Sequence, residues 1–222
     1  GLRGKRIGLS GWQDSGNTWT RALLLEAGVP VDSIQWTLSR MTAADRIDPE
    51  RGKQFWDDRV VFHDPDETPL VDLLKAGKID AIFQAFMPAD FYSEGYGLRQ
   101  LQPDFVSQEK AWFGRAGFVP GIHILAMKAD FIAAHPEAPR QLCELLRASQ
   151  NLWLAKRRKY FETTPWLIAD LIDMAKSLPE DWDPVGLEPN RRMLDEFARQ
   201  QYLQKLTPVQ RDADFLFPVK TI

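Results

Sequence analysis

Cysteine is almost absent from this sequence: Cys143 stands alone, which excludes an intrachain disulfide and a thiolate metal cluster. Histidine is scarce as well. His63, His123 and His135 show no HExxH or CxxC spacing, so nothing asks for a structural zinc. No apolar run approaches the ~18 residues needed to cross a bilayer, and no signal peptide opens the chain. Positive charge is not in surplus either. The 28 Lys and Arg against 31 Asp and Glu leave a formal net charge of -3, which gives nucleic acid no basic field to follow. The expectations are no nucleic-acid partner, no membrane span, no metal ligands and no cofactor, with any metal requirement left open.

What the sequence has is length and aromatic mass. Its 222 residues suffice for one large domain or two small ones, and 44% hydrophobic with 27% charged residues is ordinary for a globular chain. Eight tryptophans and thirteen phenylalanines fill a core, or line a pocket for a flat aromatic ligand. Cys143, among Leu142, Leu145 and Leu146, reads as a small core residue.

Periodicity divides the chain into an α/β front and a helical back. Residues 7–10 form a short apolar strand. A polar turn with Asp14, Ser15, Asn17 and Thr18 follows, and then a helix from Trp19 to Ala27 that stops at Gly28. Strand, turn and helix make the first half of a βαβ unit, and free N–H groups at such a helix start bind carboxylate or phosphate. Further strands are expected at 34–37, 60–62, 80–83 and 122–127, with a helix over Leu70, Leu73 and Leu74. Residues 87–97 read as a loop. Helices are expected from near Pro136, from a Thr164–Pro165 cap, and from Pro189 or Asn190.

Several segments together resemble the 4,5-dihydroxyphthalate decarboxylase family. Ser15 with Trp19 and Arg21 matches the polar residue and W-x-R of the family's helix. Residues 101–105 (Leu-Gln-Pro-Asp-Phe) match its L-F-P-D-Y stretch, with Gln102 where the family has Phe. Residues 115–123, from Arg115 to His123, resemble its R-x-G-I-F-P-I-M-H, and 186–191 match G-L-E-P-N-R. The resemblance implies a type II periplasmic-binding-protein-like fold, with 1–121 as the second lobe and 122–222 as the helical C-terminal part of the first. It also implies a further half-lobe upstream, either supplied by another chain or absent from this sequence.

The activity the resemblance implies is non-oxidative decarboxylation of 4,5-dihydroxyphthalate or a related hydroxylated aromatic acid, with a small anionic aromatic substrate. The alternative is a solute-binding protein feeding a transporter with an aromatic acid. An effector-binding half of a regulator ranks lower, for want of a helix-turn-helix. A cytoplasmic location is expected, or a periplasmic one if a signal peptide precedes the chain.

Such chemistry needs cations or N–H groups for the carboxylates, apolar surroundings for the departing one, and a general acid for the ring carbon. Arg21 is the candidate clamp, or a surface arginine. Ser15, Asn17 and Thr18 are donors to the ligand, or helix caps, or both. His123 is the candidate proton donor, or a core histidine in the 122–127 strand. His63 and His135 read as surface. Glu188 is a candidate acid or base, with Asn190 and Arg191 binding substrate. Otherwise Asn190 caps a helix and Glu188 pairs with a neighbouring arginine. Trp12, Arg115 and Phe118 are lower-ranked cleft residues, and Trp112 reads as core.

Overall fold

The computed structural model describes residues 1–46, 48, 50–55, 60–160 and 165–219. The chain forms two compact units, Gly1–Pro103 with Phe197–Gln210, and Asp104–Glu196 with Arg211–Ile222. It is α/β, with one four-stranded parallel sheet among the described residues.

The first unit holds β1 (Arg6–Leu9), α1 (Ser15–Glu26), β2 (Gln35–Leu38), β3 (Val61–His63), α2 (Leu70–Lys75) and β4 (Ala81–Phe83). The strands pair in parallel in the order β3-β2-β1-β4. The chain therefore steps outward from β1 through β2 to β3 and then returns to the opposite side of β1. That reversal creates a topological switch point between β1 and β4, where ligands of open parallel sheets bind outside the carboxyl ends of the strands. Leu9, Leu38, His63 and Phe83 occupy one register row across all four strands.

Alternation along the strands sends side chains to two faces. Ile7, Leu9, Trp36, Leu38 and Val61 pack in one cluster with Trp12, Leu24, Ile34 and Leu206. Leu70, Leu73 and Ile79 form a second cluster with Ile82 against it. Each such side chain, fully buried, contributes about 1.5–3 kcal/mol. Gly8 faces the second cluster at very close range. A Cβ there would stand 2.7 Å from both Ile79 Cδ1 and Leu70 Cδ2, so only glycine lets α2 and residue 79 lie on the sheet.

At the amino edge, Arg6 grips Asp80 with Nε–Oδ2 at 3.1 Å and Nη2–Oδ1 at 2.9 Å, and its backbone N–H donates to Oδ2 at 2.8 Å. These bonds hold the Asp80 carboxyl well below the usual carboxylate range. They also align the entry to β4 with β1.

The second unit contains α3 (Phe105–Ala116), α4 (Ala129–Ala134), α5 (Ala138–Arg157), α6 (Leu167–Ser177), the first ten residues of α7 (Leu187–Leu203) and α8 (Ala213–Leu216). Lys110 on α3 pairs with Asp173 on α6. Asp195 on α7 accepts the Ala213 N–H at 2.8 Å at the start of α8. No described helix is long and apolar enough to cross a membrane.

The strand expected at 122–127 is corrected. Those residues are irregular, and Ile122, Ile124 and Leu125 are exposed. An apolar run becomes a strand only when its backbone groups find a ladder partner, and this one joins no described strand. Two helices, α3 and α4, were not expected from the sequence. Cys143 is half-buried rather than core. The cap expected at Thr164 lies outside the described residues, and α6 begins at Leu167. The last long helix starts at Leu187, slightly ahead of Pro189.

Candidate functional site

The local sequence between β1 and α1 builds a hydrogen-bonded polar turn. After Leu9 the chain turns through Ser10 and Asp14, and α1 starts with an extended N-cap, Asp14, whose side chain does not cap the helix. Instead the Asp14 carboxylate folds back over Gly11, accepts from Ser10 Oγ at 3.2 Å and pairs with Arg51 at 3.4 Å. A side chain on Gly11 would collide with that carboxylate. No acidic residue stands in the first turn of α1, and the Asp14 carboxylate sits at its N-cap, where the helix dipole favours negative charge.

Below this turn lies Arg21, whose exposure is 0%. Its Nε donates to Gln204 Oε1 at 2.7 Å, its Nη2 approaches Thr18 Oγ1 at 3.5 Å, and the guanidinium stacks on the Trp12 ring at 4.1 Å. Gln204 is held in turn by the Thr18 carbonyl at 2.9 Å. Nη1 has no hydrogen-bond partner. Burial pushes the Arg21 guanidinium down to about 9, against the smaller upward pull of Asp14. Because a guanidinium resists giving up its proton, the unit contains a buried cation whose described contacts, Gln204, Thr18 and Trp12, are neutral, with the Asp14 carboxylate acting on it through charge.

The other expected residues of this region divide cleanly. Asn17 is buried and donates to the Gly11 carbonyl at 2.8 Å. Thr18 is fully buried and bonds back to the Asp14 carbonyl at 3.2 Å. Both therefore shape the turn. Ser15 is half-buried at the helix start. Trp12 is buried, edge-on to Trp36 at 5.7 Å, with Nε1 donating to the Phe55 carbonyl at 3.2 Å. Trp12, Asn17, Thr18 and Arg21 thus come together, with Gln204 as a partner 183 residues away from Arg21 that no local pattern announces.

The remaining expected residues belong to the second unit. Arg191 is held by Glu188 at 2.7 Å and by Asp214 at 2.8 Å, and these bonds raise its already high pKa. Asn190 donates to the Pro184 and Gly186 carbonyls at 2.7 and 2.9 Å, which fixes the loop leading into α7. His123 is exposed in its irregular segment. Arg115 is exposed near the end of α3 and donates to the Ala111 carbonyl at 3.2 Å. Phe118 is half-buried, edge-on to Trp112 at 5.3 Å.

Sequence reading passed over four residues at the carboxyl edge of the sheet. Gln13 Oε1, Arg40 Nε, His63 Nε2 and Gln84 Oε1 are buried without a hydrogen-bond partner. His63 was expected on the surface, but it is half-buried at the end of β3. The available signal was positional: each follows a segment that the apolar pattern marks as a strand.

No family model matches the chain. The chain is 23% identical over 210 residues to 4,5-dihydroxyphthalate decarboxylase of Comamonas testosteroni, with 93% of this chain and 63% of that protein aligned. The relationship is distant. The chain spans about 63% of that relative's length.

Proposed function

We propose that this chain forms part of a carboxy-lyase that removes a carboxylate from 4,5-dihydroxyphthalate or a related hydroxylated aromatic acid. The observation that carries the reading is the alignment with a 4,5-dihydroxyphthalate decarboxylase along nearly the whole chain. The first unit adds physical support. It has a buried cation with one unpaired N–H and an aromatic face stacked on it, close to the start of α1. In low dielectric the Arg21 charge reaches beyond its contacts and favours an anion at the sheet edge above it. As in the resemblance, 1–121 is taken as the second lobe of a type II periplasmic-binding-protein-like fold and 122–222 as the helical part of the first.

The chemistry of such a substrate is self-contained. The ring carbon bearing the carboxylate takes a proton while the hydroxyl para to it loses one, giving a transient ketone. The carbon–carbon bond then breaks, carbon dioxide leaves, and the bonding electron pair restores the ring as the oxygen regains its proton. The net change is one proton taken up and one carbon dioxide released. His123 is assigned the ring proton on the motif resemblance, and Glu188 stands as a second acid–base candidate on the same ground.

The test is to incubate the protein with 4,5-dihydroxyphthalate and look for dihydroxybenzoate by chromatography, both with this chain and with any longer natural polypeptide that contains it. Product formation is expected, and His123→Ala removes turnover while retaining binding. Substrate bound but returned unchanged would replace the lyase by a binding protein for aromatic acids.

A further inference from the structure

We infer that the second unit is the helical layer of a two-layer domain, and that its outward apolar helix faces and the exposed segment 122–127 are covered by a β-sheet carried on a part of the same polypeptide outside these 222 residues. This rests on the reading above in one respect, that the chain is part of a longer lyase like the relative it aligns with. It adds where the remainder docks and in what form.

Three places in the unit carry apolar surface at a spacing suited to packing. On α6, Leu167, Leu171 and Met174 are half-buried on one side, while Ile168, Ile172 and Ala175 stand exposed, about 100° further round the helix. The helix is therefore apolar over a wider arc than it buries, as in helices packed on two sides. On α5, Leu145, Leu146, Leu152 and Trp153 recur at i, i+1, i+7 and i+8, and all four are exposed. The third place is the run Ile-His-Ile-Leu-Ala at 122–126, exposed without a break, with Ile124 at 68% and Leu125 at 64%. Solitary exposed apolar residues are ordinary, but stripes and runs of them mark surface that another body covers.

The 122–127 segment decides the form of the cover. None of its residues exchanges a backbone hydrogen bond with a described residue. Its base is fixed, because a Cβ on Gly121 would stand 2.7 Å from Met193 Cε on α7. An apolar run with free N–H and C=O groups is completed by another strand rather than by a helix, and the resulting sheet presents a broad face to amphipathic helices. Length points to the source of that sheet. More than a third of the decarboxylase relative lies outside the alignment, whereas the first unit lays down all four of its strands between Arg6 and Phe83. A second copy of this chain has no bare sheet face to offer, since its described sheet already packs against α1 and α2.

Hydrogen exchange read by mass spectrometry, on this chain and on the full natural polypeptide that contains it, tests the inference, with Ile172→Asp made in both. In this chain the 122–127 amides should exchange as fast as unfolded peptide, and Ile172→Asp should move the thermal midpoint by less than about 1 °C. In the full polypeptide the same amides should be protected at least about 100-fold at every protein concentration, and Ile172→Asp should lower the midpoint by at least about 5 °C. Equal exchange in both species overturns the inference, as does a natural polypeptide with no further chain. Protection that rises with the concentration of this chain also overturns it and assigns the surface to a second copy. No substrate enters these readouts, so protected amides without decarboxylation would remove the lyase reading alone.

Discussion

The two units treat their apolar residues very differently. In the first, Ile7, Leu9, Trp36 and Leu38 vanish into the sheet core. In the second, α5 and α6 carry apolar residues at helical spacing, yet Leu145 is 67% exposed, Trp153 60% and Ile172 53%. Of the buried hydrophobic residues, all but Leu187 and Ala213 belong to the first unit. The difference lies in what each element faces. A sheet offers two broad surfaces, and α1 and α2 supply the layers that cover them. Among the described residues the second unit has helices only, so an amphipathic face is present without an opposing layer. Amphipathic pattern selects a face; burial requires something to lay it against.

The sharpest way to test this contrast is to truncate one tryptophan in each unit. Trp36→Ala removes a fully buried ring whose Nε1 donates to the Val31 carbonyl at 2.8 Å, and should cost about 3–5 kcal/mol in denaturant unfolding. Trp153→Ala, in the exposed face, should stay within about 0.5 kcal/mol. Equal losses would mean that the second unit is packed as tightly as the first.

Next in size is the buried cation. Arg21→Met keeps the length of the side chain and removes its charge. Loss of the bonds to Gln204 and Thr18 is offset by relief of an uncompensated buried charge, so the unfolding midpoint should move little. Affinity for phthalate should nevertheless fall about 100-fold, equivalent to about 2.7 kcal/mol. A large stability loss with unchanged affinity would make Arg21 a purely structural residue.

The smallest effect concerns the amino edge, away from the site. Asp80 has its pKa lowered by Arg6, so the pair stabilises the fold above the ordinary carboxylate pKa, and this contribution fades as pH falls through the depressed value. Asp80→Asn should lower the thermal midpoint by about 2–4 °C at pH 7, with the gap to wild type closing on acidification. A gap independent of pH would assign the loss to the backbone hydrogen bond of Arg6 rather than to the charge.

Legibility followed the range of the forces involved. The four strands of the sheet and α1 were readable because alternating apolar residues, a turn rich in Asp, Ser and Asn, and Gly28 act on near neighbours. The W-x-R pair, Trp19 and Arg21, drew attention to α1. It said nothing of Gln204, which reaches Arg21 from the far end of α7, nor of the loss of exposure that makes the arginine unusual. Residues 122–127 carry the same apolar signal as β1 but form no strand, since ladder pairing depends on a partner segment rather than on composition. Glu188 pairs with Arg191, as the structural alternative had it, whereas Asn190 lies inside α7 and donates to the Pro184 and Gly186 carbonyls instead of capping the helix.

By itself, then, the sequence determined which stretches alternate, where the turns fall and which side chains carry charge, because these depend on residues a few positions apart. Tertiary structure alone decided that β4 returns beside β1, that Arg21 is buried with Nη1 unpaired, and that Gln13, Arg40, His63 and Gln84 end near one edge with polar atoms unpaired. Each of those outcomes depends on packing that brings together groups far apart along the chain.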